Sequence, residues 1–506
     1  MFNELIIKNI YEAIVLLWRI RRTSMVLIFL LFSSVSAICG NDLYVGTAEA
    51  NITPDLPVAL NGQFYLRIAH TARTPLLANI VAIESRDGER SLEQTIFVSC
   101  DLVSIPQILT DLVRKQVQPQ IPELNVKKII LSATHTHTSP VMESDFSEII
   151  LYDIPKQGVS QPNDYQQLFA KRVTEAIVKA WIARKPGSVT WGLTSATIAH
   201  NRRVVYTDGT AKMYGNTNLP EFQNFEGYED HDVNTLFFWN KTGKLIATSI
   251  EVPCPAQEVE KDTVIDADYW HSVRVSLKKR FGSGLLVMGW IGAAGDQSPH
   301  LMYRRGAEER MRNLDKLSRV DAITKRIVHA VGEAYETVKN DRHTDVILTH
   351  KVEMITLPMR IVTEAEYKDS KSVSDETAAQ IAANPKASEK MYGKMVWFGN
   401  IVKRYEMQKT NPNPTYDTEI HVIRLGDVAV CTNQFELFTD FGIRIQARSK
   451  ALQNFVVQLA GPGTYLPTTK AVGGGGYSAV CQSNLVGPEG GQMLVEKTLE
   501  LINSVW

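Results

Sequence analysis

Between residues 95 and 132 an apolar run, an amphipathic stretch and a second apolar run follow one another, and no other feature constrains the fold as much. Thr95–Cys100 and Lys128–Ser132 predict strands buried on both faces, because each is apolar and too short for a buried helix. The stretch around Pro106–Val117 between them predicts a helix, and Pro106 suits its first position, where no backbone N–H is needed. The same alternation recurs along the chain. Tyr165–Arg184 places Leu168, Phe169, Val173, Ile177 and Trp181 on one helical face. Val273–Phe281 predicts a helix and Leu285–Ile291 a strand, with further helices at Ala322–Val338 and Met493–Val505. The fold class is therefore α/β (α+β), with a largely parallel or mixed sheet flanked by helices. Thr363–Lys394 is polar and helix-prone, a surface excursion. The composition never shifts sharply and no repeat occurs, so one large catalytic domain over residues 44–506 is expected.

Composition excludes some partners. Apolar residues make up 44% and charged residues 22%, enough for a sizeable core, and the net charge of −1 offers no footprint for a polyanion. Nucleic acid is not an expected partner. Arg19, Arg21 and Arg22 precede the apolar run Met25–Phe32, which passes into Val35-Ser36-Ala37. That is the pattern of a secretory signal over residues 1–39, and the run is too short to favour a membrane span. The expectation is export to the periplasm or outside the cell. Lipidation at Cys39 is the weaker alternative, since Ile38 is a poor residue before it. Contact with a membrane surface stays open, and oligomeric state is not legible. Besides Cys39, four cysteines remain, enough for two disulfides; Cys100 and Cys431 sit in strand-like runs where a buried free thiol is commoner.

The chemistry gathers at strand ends. His135 and His137 follow Ile129-Ile130-Leu131 within Ser132-Ala-Thr-His-Thr-His-Thr-Ser-Pro140, and in an extended segment both rings can address one ion or one substrate. Gly289-Trp-Ile-Gly-Ala-Ala-Gly-Asp-Gln-Ser-Pro-His300 runs from a strand into a turn presenting Asp296, Ser298 and His300. Asn433-Gln-Phe-Glu436 puts a carboxylate after the strand Val428–Cys431. The loop Gly461–Tyr477 carries Tyr465 and Tyr477 around the run Gly473–Gly476 and reads on its own as flexible. No zinc-protease helix or phosphate loop is present.

Taken in order, Asn51-Ile-Thr-Pro54, the His pair, Asn201-Arg-Arg203, Gly295-Asp-Gln-Ser-Pro299, Phe435-Glu436 and the tyrosine loop resemble the neutral/alkaline (non-lysosomal) ceramidase family over residues 44–506. The resemblance implies hydrolysis of the amide of an N-acyl sphingoid base, or a similar lipid or small molecule, with one zinc ion per chain. By position, His135, Glu436 and Tyr465 resemble zinc ligands. His137, Arg202 and Tyr477 resemble substrate-side catalytic groups, and Ser298 matches a residue that serves either as nucleophile or as an orienting group. Three departures stand out. The family's second zinc His is missing from Ser249-Ile-Glu-Val-Pro-Cys-Pro-Ala-Gln257, where Cys254 falls closest, either as a replacement ligand or as an ordinary buried thiol. Gly474-Gly-Gly-Tyr477 replaces a more polar stretch, and the family's C-terminal immunoglobulin-like domain has no counterpart. The alternatives are a same-fold hydrolase of another acyl amide or ester, such as an acylated sugar, or a metal-free exported binding protein.

Overall fold

Eight strands are hydrogen-bonded in a sheet whose chain order is scrambled. They are β1 (Asp42–Asn51), β2 (Leu77–Asp87), β3 (Arg90–Cys100), β4 (Ile129–Ala133), β5 (Lys185–Ser195), β6 (Asp232–Asn240), β7 (Leu245–Val252) and β8 (Leu286–Ile291), arranged 8-7-6-5-1-2-3-4. The computed structural model describes residues 41–142 and 151–506; the expected export segment and Cys39 lie outside them. The described chain from Asp42 onward is one compact unit, and none of its helices is long and apolar enough to cross a membrane.

The sheet is mixed, and the largely parallel alternative is corrected. Only β3–β4 and β7–β8, at its two ends, are parallel; every pair between them is antiparallel. The apolar runs indicated buried strands but carried no information on direction. A second sheet, β9 (Leu348–Pro358), β10 (Thr415–Leu425), β11 (Val428–Thr432) and β12 (Gln453–Val457), also ends in a parallel pair, β11–β12.

The period-2 alternation of the strands separates two cores. Val81, Ile83, Phe97, Leu236, Phe238, Met288 and Trp290 of the first sheet face Ile423, Val430, Phe455 and Val457 of the second. The intervening residues Ile80, Ala82, Ile96 and Val98 face helices α1 (Gln107–Val117) and α2 (Pro162–Ile182). Phe237, Trp239 and Ile250 likewise meet α3 (Tyr269–Phe281) and α4 (Arg319–Val338). The outer face of the second sheet packs on Leu494, Val495 and Ile502 of the C-terminal helix, Pro488–Asn503. The layers are helix, sheet, sheet, helix. The polar excursion forms a hairpin of α5 (Glu364–Ala383) and α6 (Ser388–Thr410), capped at its start by the Thr363/Glu366 box.

The first sheet curls so that its edges meet. Ser99 Oγ on β3 donates to Gly289 O on β8 at 2.5 Å. Past the strand ends the backbone is stitched: Ala133 N–H donates to Leu459 O (3.2 Å), Gln458 N–H to Ile291 O (3.0 Å) and Ala256 N–H to Thr134 O (3.2 Å). The ends of β4, β7, β8, β11 and β12 therefore converge on one place. Cys100, Cys254, Cys431 and Cys481 are all free and buried, so neither disulfide forms.

Candidate active site

His135 leaves β4 with φ +64, a conformation a β-substituted residue adopts rarely and mostly where function demands it. The turn swings its ring inward, where it is 4% exposed. Its Nδ1 lies 2.7 Å from Val103 O, which only accepts, so the ring proton is on Nδ1. Nε2 points the other way, 3.5 Å from Glu436 Oε2 and 3.2 Å from His137 Nε2, and in the neutral ring it carries the lone pair. A buried imidazole pinned by a carbonyl behind it, with its free nitrogen facing a carboxylate, is the usual posture of a metal-ligating histidine.

Glu436 comes off the turn after β11. It pairs through backbone with Tyr465, which follows β12, and the Tyr465 hydroxyl bonds the Glu436 carboxylate. Burial and the Glu436 charge push the Tyr465 pKa far up. Tyr477 stacks edge-on against Tyr465, with centroids 5.5 Å apart. Its loop is not the flexible run its glycines suggested. Residues Thr469–Gly474 form a short helix, and the Arg203 guanidinium, itself paired with Glu226, binds the carbonyls of Ala471, Gly475 and Tyr477.

Arg202 is buried beside the tyrosines. One of its nitrogens donates to Gly295 O (2.9 Å) and Tyr465 Oη (3.1 Å), another to Gln257 Oε1 (3.3 Å) and Tyr214 Oη (3.4 Å). Burial disfavours its charge, but Tyr465, Tyr214 and Glu436 around it more than offset this and hold the guanidinium charged. His137 is neutral, since burial and the adjacent His135 hold its pKa well below the usual value. Gly62 (φ +98) makes room for its ring: a Cβ there would stand 2.4 Å from His137 Cγ.

The structure thus brings His135, His137, Arg202, Glu436, Tyr465 and Tyr477 together, and leaves two expected residues apart. The Cys254 side chain lies in the apolar cluster with Ile198, Tyr269 and Trp270, its Sγ 3.5 Å from Ile198 O. Burial pushes its thiol pKa far up. Ser298 is fully buried, 3.0 Å from Tyr214 Oη, and accepts from His300 N–H; among the described residues no imidazole or carboxylate hydrogen-bonds to it as a base. Asp296 is a structural tie, accepting from Asn201 and Thr439.

Three residues of the site carried no motif. Gln257 Nε2 is 2.7 Å from His137 Nε2. Glu260 Oε2 is 3.5 Å from His137 Nδ1 and its other oxygen 3.8 Å from His300 Nδ1. Tyr214 sits between Arg202 and Ser298. Only Gln257 lay within a stretch already under scrutiny, three residues past Cys254. Above the site, Trp397 of α6, Phe64 and Tyr477 form an aromatic group with centroids 5.3–5.8 Å apart. Backbone contact anchors α6 there: Leu66 N–H donates to Glu389 O at 2.9 Å. Among the described residues no three His, Cys, Asp or Glu side chains form a complete metal cluster, so any ion here draws on Tyr465 as well.

No family model and no curated protein matches the chain. Solved structures do. Neutral ceramidase from Pseudomonas aeruginosa superposes with a TM-score of 0.65 at 17% identity, covering 92% of this chain and 75% of that one. A ceramidase complexed with C2 gives 0.64 at 15% identity with the same coverage. Over 92% of its length, this chain has the fold of neutral ceramidase.

Proposed function

We propose that the chain is an exported zinc-dependent amidohydrolase that cleaves the N-acyl amide of ceramide or a related acyl-amide lipid. The observation that carries this reading is the His135 ring, its proton held by Val103 O and its free Nε2 facing the Glu436 carboxylate. A cation between the ring nitrogen and the carboxylate oxygen, 3.5 Å apart, would bind both at once. The donor set of imidazole, carboxylate and phenol oxygen suits zinc. The shared fold with neutral ceramidase supports the substrate class.

His135, Glu436 and Tyr465 would hold the ion. When bound, zinc supplies an activated water and polarises the amide carbonyl. Arg202 keeps a buried positive charge within 3.1 Å of Tyr465 Oη, aimed where negative charge develops on the carbonyl oxygen. Tyr477 offers a hydroxyl beside it for the substrate. Ser298 orients Tyr214, which in turn contacts Arg202, so its role is positioning and no serine nucleophile is needed. Phe64, Trp397 and Tyr477 present an apolar wall for an acyl chain.

The test is a panel of N-acyl sphingoid bases, N-acyl amino acids and acylated sugars, run on the purified protein before and after chelation. Cleavage of N-acyl sphingoid bases, lost with the metal and restored by zinc, is expected. Turnover confined to acylated sugars would move the reading to another acyl substrate. Bound lipid without turnover or zinc would make it a binding protein.

A further inference from the structure

We infer that Arg203 is a positioning residue for the proposed hydrolysis, holding Tyr477 and its loop in the pose that presents the ring to substrate. This rests on the substrate-side role given to Tyr477 above; the clamp itself is read from hydrogen bonds.

Arg202 and Arg203 are neighbours in sequence and face opposite ways, as consecutive residues of an extended segment do. Arg202 reaches forward to Tyr465 Oη, and Arg203, which opens the strand Arg203–Tyr206, reaches behind the site. Its side chain is fully buried. Its Nε and one terminal nitrogen make a two-point pair with Glu226, at 2.6 and 2.9 Å, which balances the buried charge. The rest of the guanidinium goes to one loop: Gly475 O at 2.6 Å, Tyr477 O at 2.8 Å, Ala471 O at 3.2 Å and Ser478 Oγ at 3.3 Å. A planar fork of five N–H groups serves the carboxylate and these acceptors together, which a lysine ammonium with three cannot.

The loop needs such a tie. From Gly475 to Ser478 the backbone turns repeatedly through positive φ, +69 at Gly475, +80 at Gly476 and +73 at Ser478. Glycine has the most freedom to lose on ordering, and a serine in that region persists only where its surroundings hold it. Gly476 also passes so close to the strand Ala211–Met213 that a Cβ would stand 2.4 Å from Ala211 O.

The tie and the ring belong to one residue. Arg203 grips the Tyr477 carbonyl, while the Tyr477 ring packs against Tyr465, Phe64 and Trp397, at centroid distances of 5.5, 5.7 and 5.8 Å. The chain beyond hangs on other arginines. Arg360 donates to Ala479 O (2.6 Å), and Arg404 to Cys481 O (2.9 Å) and Asn484 O (2.8 Å). Losing Arg203 should therefore free Tyr477 without unmaking the far half of the loop.

Two variants of the full chain test this. Arg203→Lys keeps a positive charge for Glu226 but not the fork. Arg203→Met with Glu226→Leu removes both charges, so that no buried charge is left unpaired should the lysine variant not fold. In both, hydrogen–deuterium exchange should quicken at residues 475–478 and keep the wild-type rate at 481–484. Turnover of N-acyl sphingoid bases should fall by ~10–100-fold, mostly in kcat, the order of loss from a misplaced group. In a Tyr477→Ala background the same changes should cost nothing further, since the effect runs through that ring. Unchanged exchange at 475–478, or a loss that adds in full to that of Tyr477→Ala, overturns the positioning role. A wild-type protein that turns over no acyl amide overturns the hydrolase reading, and the exchange result then decides the clamp by itself.

Discussion

The molecule buries two His–His–Glu groups, and they are built differently. Between the two sheets, His350 Nδ1 lies 3.3 Å from Gln94 O, His350 Nε2 lies 3.0 Å from His421 Nδ1, and His421 Nε2 lies 3.0 Å from Glu419 Oε1. Each gap is a hydrogen-bond length with room for a proton, and Arg114 neutralises Glu419 with two contacts of 2.6 and 3.3 Å. In the candidate site the His–His gap of 3.2 Å is also a hydrogen-bond length, the His135–Glu436 gap is 3.5 Å, and the Glu436 charge is met by that of buried Arg202 with no direct ion pair among the described residues. The first group is closed by protons and a guanidinium. The second is less tightly paired and lies beside an aromatic wall. Identical residue types therefore do not identify a site; separation and charge balance do.

The largest effect that sharpens this contrast comes from the two glutamates. Glu436→Gln should remove bound zinc and drop amide hydrolysis to background, while thermal unfolding of the metal-free protein changes little, measured by elemental analysis and calorimetry. Glu419→Gln should do the reverse. Zinc content stays at the wild-type level, and stability falls by about 2–3 kcal/mol because the half-buried Arg114 loses its partner.

The pH dependence of stability separates them further. Burial raises the Glu419 pKa, but hydrogen bonds from His421 and then Arg114 outweigh it, bringing the value from 4.5 to about 2. A depressed carboxylate stabilises the fold above its unfolded pKa and loses that contribution as pH falls toward its folded one. Wild-type protein should thus lose stability between roughly pH 5 and 2 more steeply than Glu419→Gln, followed by urea unfolding.

A smaller effect tests the open side of the site. Trp397→Ala should raise KM about tenfold for long-chain substrates, the order expected from losing part of an aromatic contact. Short-chain substrates and zinc content should change little; an equal loss on both would remove the acyl-wall role. Smallest is Cys254→Ala, expected to keep full zinc and to cost about 1 kcal/mol as an ordinary core truncation.

Much of this was legible in the sequence, for physical reasons. Thr95–Ser132 declared a strand, helix and strand because both strands are buried on two faces, and β3 and β4 do pair in parallel. His135, Glu436 and Tyr465 stood out because each follows a strand end, where backbone direction already aims a side chain, and the three come together in space. The antiparallel middle of the sheet was not legible. The partners of β1 are β2 and β5, and nothing in its own residues names the distant β5. Gln257 and Glu260 escaped because each meets His137 across some 120 residues. Cys254 lies in the apolar cluster by Ile198, and Gln257, three residues on, meets His137; the Pro253–Pro255 turn sets these directions, which residue identity alone does not.

The most direct measurement of the central claim is X-ray absorption at the zinc edge of the purified protein. The account predicts one zinc per chain in a shell of nitrogen and oxygen at about 2.0 Å. A sulfur shell near ~2.3 Å would make Cys254 the ligand. The absence of zinc from an active enzyme would contradict the account as a whole.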